Sequence, residues 1–148
     1  MTSSSGQDHS TLKNLFAACK DDENGYRAAV KHVKDEGLKS VLHDYADQRA
    51  QYAAALQGAL GALGSHSESS GTIAGALHLG WATIKAAATG GDNALLAECV
   101  HGEEAARERY EKALTEHLAP EARELIGRQL RGIQAACDHL RELQGAAV

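Results

Sequence analysis

Proline occurs once in this 148-residue chain, at Pro120, and only six residues are aromatic: one Trp, four Tyr and one Phe. Sandwiches and barrels draw on β-branched and aromatic residues and on frequent turns, so this scarcity disfavours them and favours long helices. Basic residues are outnumbered, 15 Lys and Arg against 20 Asp and Glu, for a net charge of −5 with the histidines neutral. Nucleic-acid surfaces depend on Lys and Arg neutralising phosphates, so no nucleic-acid partner is expected. No apolar run reaches the roughly 18 residues that a membrane-crossing helix needs. The nearest approach, Gly71 to Gly91, is broken by Thr72, His78, Lys85 and Thr89, and no membrane partner is expected. The polar start, residues 1–7, has neither the basic nor the apolar segment of a signal peptide and reads as a disordered tail. Cys19, Cys99 and Cys137 are far apart and form no CxxC pair. They make neither a disulfide framework nor a zinc knuckle, and buried, reduced thiols in a cytoplasmic protein are expected.

What the chain does have is helical periodicity over one domain, residues 8–146. Leu12, Phe16, Cys19, Tyr26, Val30 and Val33 recur on a 4-3 rhythm, the seam of an amphipathic helix. That helix is expected to stop near Asp35-Glu36-Gly37, with glycine as a left-handed cap. Leu38, Leu42, Tyr45, Tyr52, Leu56, Ala59 and Leu63 mark a second helix, and so short a connection implies an antiparallel hairpin. Residues 64–71 read as a loop, and Ile73, Leu77, Trp81 and Ile84 as a shorter helix over 72–89. Asp92 is a candidate cap for the next helix, which carries Leu95, Cys99, Ala106, Tyr110, Ala113 and His117 on one face. Pro120 opens the last helix, its favoured place, with Leu125, Ile126, Ile133, Ala136, Leu140 and Leu143 turned inward.

An internal repeat sets the topology. Leu15–Val30 aligns with Leu95–Tyr110 at an offset of 80, matching Leu15/Leu95, Ala17/Ala97, Cys19/Cys99, Glu23/Glu103 and Arg27/Arg107. The second and last long helices align at an offset of 84, through Val41/Leu125, Leu42/Ile126 and Leu56/Leu140. Two related hairpins joined by a helix of roughly 27 Å, at 1.5 Å per residue, suit a crossover. The expected fold is all-α, a ferritin-like antiparallel four-helix bundle with a short fifth crossover helix, although composition alone also permits a simple up-down bundle.

Glu23 and Glu103 are the candidates for chemistry. Each falls in a core seam, and a carboxylate there is costly unless hydrogen-bonded, paired or bound to metal. In di-iron bundles two helices each give one Glu and two give Glu-x-x-His. The facing helices here offer Gln48, Arg49, Gln51 and Tyr52 on one side and Gln129, Ile133, Ala136 and Cys137 on the other. A di-iron oxidase centre is poorly supplied by that set. Two readings stay open. In one, both acids join a buried network with Arg49, Gln48, Gln129 and tyrosine hydroxyls. In the other, Glu23 and Glu103 are first ligands, with Gln51 and Cys137 as secondary ones, for iron, manganese or zinc.

Glu98-Cys99-Val100-His101 has the Glu-x-x-His spacing but sits a quarter-turn off the seam. Arg123, Arg128, Arg131 and Arg141 alternate with Glu121, Glu124 and Glu142 as an ordinary charged face. Gly90-Gly91-Asp92 lacks the flanking strand of a nucleotide loop and reads as a cap. The small residues Gly58, Gly61 and Gly64, with Ala53 to Ala55 and Ala59, and the outer side of Leu77, Trp81 and Ile84, are the two candidate dimer surfaces.

The chain resembles bacterial ferritin-like four-helix-bundle proteins of unknown function, a domain of unknown function in the ferritin superfamily, over roughly residues 9–143. The resemblance is carried by Lys20-Asp21-Asp22-Glu23, Gly25-Tyr26-Arg27, Gln48-Arg49-Ala50-Gln51-Tyr52, Ser70–His78, Lys85–Asp92 and Glu98–Glu103. It implies Glu where this chain has Ala55 and His where it has Cys137, so that two ligands of such a site would be lost here. No cofactor is assigned and no catalysis is claimed. The leading expectation is a small cytoplasmic bundle without an intact di-iron centre, acting by binding or assembly as a homo-oligomer, a dimer. The alternative is a metal-binding, oxygen- or peroxide-handling protein.

Overall fold

The computed structural model describes residues 2–64 and 84–146. The described residues are helical, with no strand among them: α1 (Thr2–His32), α2 (Glu36–Ala62), α3 (Ile84–Ala88), α4 (Asp92–Ala113) and α5 (Pro120–Ala146). The first helix begins at Thr2, so the polar start expected to be a disordered tail is helical from that residue. The loop over 65–71 and most of the crossover, with Ile73, Leu77 and Trp81, lie outside the described residues. Of that crossover α3 is described, and its Ile84 is buried rather than facing outward.

The core follows from the seams. In α1 the buried line is Leu12, Leu15, Phe16, Cys19, Tyr26 and Ala29, continued by Val33 just past its end, and in α2 it is Leu42, Ala46, Arg49, Ala53, Leu56 and Leu60. Tyr45, Tyr52 and Ala59, expected on that α2 stripe, are half-buried at its edge. Each fully buried leucine contributes about 1.5–3 kcal/mol relative to exposure. α1 packs along α2, α4 along α5, and the two hairpins meet chiefly through α1 and α4.

The hairpins are antiparallel to one another as well. Asp92, at the start of α4, accepts hydrogen bonds from the backbone N–H groups of Lys34 and Asp35, at 2.9 and 2.8 Å, in the α1–α2 turn. Asp8, near the start of α1, accepts one from the N–H of Ala119 at 3.1 Å, in the α4–α5 turn. These two clamps are the same clamp repeated, since Asp8/Asp92 and Asp35/Ala119 are both separated by 84 residues. The shallow grooves at the two ends repeat in the same way: Asp8, Leu12, Ala59, Ala119 and Ala122 line one, and Asp92, Leu96, Leu143, Asp35 and Leu38 line the other. One offset of 84 therefore relates the whole of both hairpins. The offset of 80 read for the first pair of helices is corrected. A shift of four residues is about one helical turn, so the apolar rhythm survives either register.

Local capping also differs from expectation. Asp35, not Gly37, shapes the first turn: its side chain accepts from the N–H of Leu38 and caps α2, while Gly37 lies inside that helix. The N-cap of α4 is Gly91, at φ 86°, which leaves the Asp92 carboxylate free to reach the other hairpin. Gly64, at φ 79°, closes α2 as a left-handed residue, and its N–H bonds the carbonyl of Gly61. Pro120 is the first residue of α5, as expected.

α2 and α5 come close at Gly132, where a Cβ would lie 1.9 Å from the Tyr52 hydroxyl and 3.1 Å from the ring carbon that bears it. Gly132→Ala is expected to lower stability by about 1–3 kcal/mol through overpacking, read as a shifted denaturant midpoint. Adding Tyr52→Phe should recover part of that loss, and strict additivity of the two changes would contradict the contact.

Candidate functional site

Two apolar clusters fill the bundle, and a polar layer lies where they meet. One cluster holds Leu12, Phe16, Leu56, Leu60, Tyr110 and Ile126, and the other holds Tyr26, Val33, Leu42, Leu96, Val100 and Leu140. Asp22, Arg49, Glu103 and Gln129 are buried in the layer between them.

Arg49 is its centre. The side chain is 0 % exposed, the largest of the fully buried ones. One guanidinium nitrogen donates to Asp22 Oδ2 of α1 at 2.9 Å, and the other donates to Glu103 Oε1 of α4. Glu103 Oε2 accepts from the hydroxyl of Tyr26, whose ring centroid lies 5.8 Å from the guanidinium carbon. Three helices are thus tied by one cation. Two carboxylates share that cation in a dry environment, and burial, then the charge of Asp22, push the Glu103 carboxyl well above its ordinary range.

The equivalent positions in the other half carry no charge. Shifting by 84 turns Tyr26 and Glu103 into Tyr110 and Cys19, and these two also touch: Cys19 Sγ lies 3.1 Å from the Tyr110 hydroxyl. That hydroxyl donates to Gln129 Oε1 at 2.7 Å, and Gln129 Nε2 donates to the carbonyl of Tyr52 at 3.2 Å. One half of the layer is ionic and the other neutral. Burial raises the Tyr110 phenol, and it pushes the Cys19 and Cys99 thiols up to about 12.

The residues expected to act together are only partly brought together. Glu103 is in the layer, but Glu23 is not its symmetry mate. Glu23 turns to the α1 edge, where it pairs with Lys20 at 3.2 Å and Arg27 at 3.0 Å, and Arg27 also reaches Asp47. Asp22, one residue earlier and so about 100° round the helix, is the acid that points inward. Gln51 is exposed and Cys137 is buried in α5. Of the expected network, Glu103, Arg49, Gln129 and two tyrosine hydroxyls lie in the layer, Asp22 stands in the place given to Glu23, and the buried Gln48 Oε1 has no hydrogen-bond partner. Among the described residues, the one group of three His, Cys, Asp or Glu donors lying within 4.8 Å of each other is His43, Asp44 and Asp47, on the surface of α2. Glu98 is half-exposed and His101 exposed, as the off-seam phase required. A third tyrosine contact lies beside the layer: the Tyr45 hydroxyl and His139 Nδ1 are 2.6 Å apart, bridging α2 and α5.

Two outcomes follow. The folded protein holds the Glu103 proton more tightly than the unfolded chain. Its contribution to stability is therefore complete below the ordinary value of 4.5 and is lost as pH rises through the raised folded value. Against Glu103→Gln, which stays neutral at every pH, the wild type should lose ground in denaturant titrations as pH rises above 4.5. A wild-type advantage that grows with pH would contradict this. Cys19, Cys99 and Cys137 are all buried, so a thiol-specific reagent should label none in the native protein and all three after denaturation. Rapid labelling of native protein would count against the closed core.

No curated protein matches the chain. A family profile described as "Domain of unknown function (DUF2383)" matches residues 7–116, from the start of α1 to just past α4, and so spans Asp22, Tyr26, Arg49 and Glu103. With about three-quarters of its length matched, the chain belongs to that family.

Proposed function

We propose that the protein is a ferritin-like helical bundle that acts by binding or assembly and whose centre is a protein-filled polar layer in place of a di-iron site. The ferritin-like reading is supported by the topology of the described ends. α2 finishes beside the start of α1, where Ala59, Ala62 and Leu63 lie with Asp8 and Leu12, whereas α4 begins beside the α1–α2 turn. The single long connection therefore leaves at one end of the bundle and arrives at the other, the arrangement with one crossover.

The observation that carries the functional reading is the guanidinium of Arg49 between Asp22 and Glu103. It occupies the carboxylate oxygens that a cation would need, and its own charge repels a second cation in a medium of low dielectric. Breaking such a pair by removing one member costs about 3–5 kcal/mol, so the guanidinium is not readily displaced. The donor set supports the same reading, since Gln51 is exposed and Glu23 is engaged by Lys20 and Arg27.

Elemental analysis of protein purified without chelator tests it. Iron, manganese and zinc are expected well below one per chain, with helicity and mass in light scattering unchanged by chelator. Stoichiometric metal that disappears in Glu23→Ala with Glu103→Ala would instead establish the metal-binding alternative.

A further inference from the structure

Two of the four tyrosines hold their phenols against a proton acceptor, and those two are in ring contact with each other. Tyr26 donates to Glu103 Oε2, and the Tyr45 hydroxyl lies 2.6 Å from His139 Nδ1. Their ring centroids are 5.9 Å apart at 41°. The other two are placed differently. The Tyr110 hydroxyl donates to the amide oxygen of Gln129, and the Tyr52 hydroxyl packs against Gly132. An amide oxygen does not take up a proton near neutrality, whereas an imidazole nitrogen does. Tyr45 also differs from Tyr26 in its surroundings. Tyr26 is fully enclosed, with the Arg49 guanidinium carbon 5.8 Å from its ring centroid. A cation there opposes positive charge on that ring. Tyr45 and His139 are half-buried, so molecules in solution reach the pair. Burial raises the Tyr45 phenol, which keeps its proton in place until a reaction removes it. His139 stands edge-on to Tyr45, with ring centroids 5.9 Å apart at 71°.

We infer that Tyr45 is a redox-active tyrosine, oxidised by one electron by a peroxyl-class radical at the surface, with His139 as the base that takes its proton. A phenol gives up an electron readily only when its proton leaves in the same event, because the protonated radical cation is a very strong acid. With the imidazole proton on Nε2, Nδ1 is the acceptor of the Tyr45 hydroxyl. The O–H bond of Tyr45 breaks, an N–H bond forms at Nδ1, and the electron passes to the peroxyl radical. The reduced radical takes a proton from water and becomes a hydroperoxide, and the imidazolium returns its extra proton to solvent. The net change is one hydrogen atom moved from Tyr45 to the peroxyl radical, which leaves a neutral phenoxyl. Contact with Tyr26 gives the buried layer an outlet through the same site, since an electron vacancy on Tyr26 moves outward to Tyr45 and away from Arg49. The inference goes beyond the binding or assembly reading and does not depend on it.

Flash oxidation of the full chain by ruthenium(III) tris-bipyridine, which takes an electron and no proton, tests the proton transfer. The wild type is expected to form a phenoxyl radical in a fast phase, read by its absorption and by electron paramagnetic resonance. Tyr45→Phe should abolish that phase, and Tyr52→Phe should leave it intact. His139→Leu should slow it by roughly 100-fold, the lower end of what a positioned base contributes. Heavy water should slow the wild-type phase as well, which tests the same step without any change to the chain. A fast phase that survives Tyr45→Phe, or one that neither His139→Leu nor heavy water slows, overturns the proposal. Peroxyl radicals released from an azo initiator test the class of oxidant. Peptide mass spectrometry should then place the oxidised tyrosine at Tyr45 in the wild type, and damage spread evenly over all four tyrosines would overturn the assignment.

Discussion

A single guanidinium, fully enclosed, holds the middle of this molecule. Arg49 reaches Asp22 on one helix and Glu103 on another, and Tyr26 closes the far side of Glu103. Removing a cation from water is costly, and that cost is met only where good geometry places anions on both sides of it. The consequence is specificity. α1, α2 and α4 have one register in which all three charges are satisfied, and a slip of one turn would strand at least one of them. The apolar clusters above and below supply most of the stabilisation, while the polar layer fixes which residues face each other.

Around that layer the molecule is built twice. The 84-residue relation links end grooves, turn clamps and the two tyrosine contacts. It fails where the chemistry diverges, at Asp22 against Ala106, Arg49 against Ile133 and Glu103 against Cys19. The divergence makes one half ionic and the other a neutral chain of thiol, phenol and amide.

Much of this was legible in the sequence, and the rest was hidden for definite reasons. The 4-3 rhythm of Leu12, Phe16, Cys19 and Tyr26 and the position of Pro120 located four long helices. Glu103 was visible as an acid in an apolar stripe. Glu23 was misplaced because the identities Cys19/Cys99 and Glu23/Glu103 favour an offset of 80, whereas packing obeys 84, and periodicity alone tolerates both. In the slipped register Asp22 falls beside the seam and not in it. Arg49 could be named as a partner but not as the centre, because an arginine in an alanine-rich helix ordinarily faces water. The clamps of Asp8 and Asp92 were out of reach for a different cause: each joins residues about 57 to 111 positions apart, and no local pattern records such a contact.

The family profile supplies no activity, so the molecule's role rests on its own physics. Protein groups already fill the centre of the molecule, where Arg49 is held between Asp22 and Glu103. The most direct measurement of that claim is a double-mutant cycle on Arg49→Met and Glu103→Leu, read by equilibrium unfolding. The account expects each single change to be strongly destabilising and the two losses to fall short of their sum by about 1–3 kcal/mol, because once either side chain is gone the other has no contact left to lose with it. Losses that simply add, within about 0.5 kcal/mol, would mean that the two side chains do not meet in the folded protein and would contradict the account at its root.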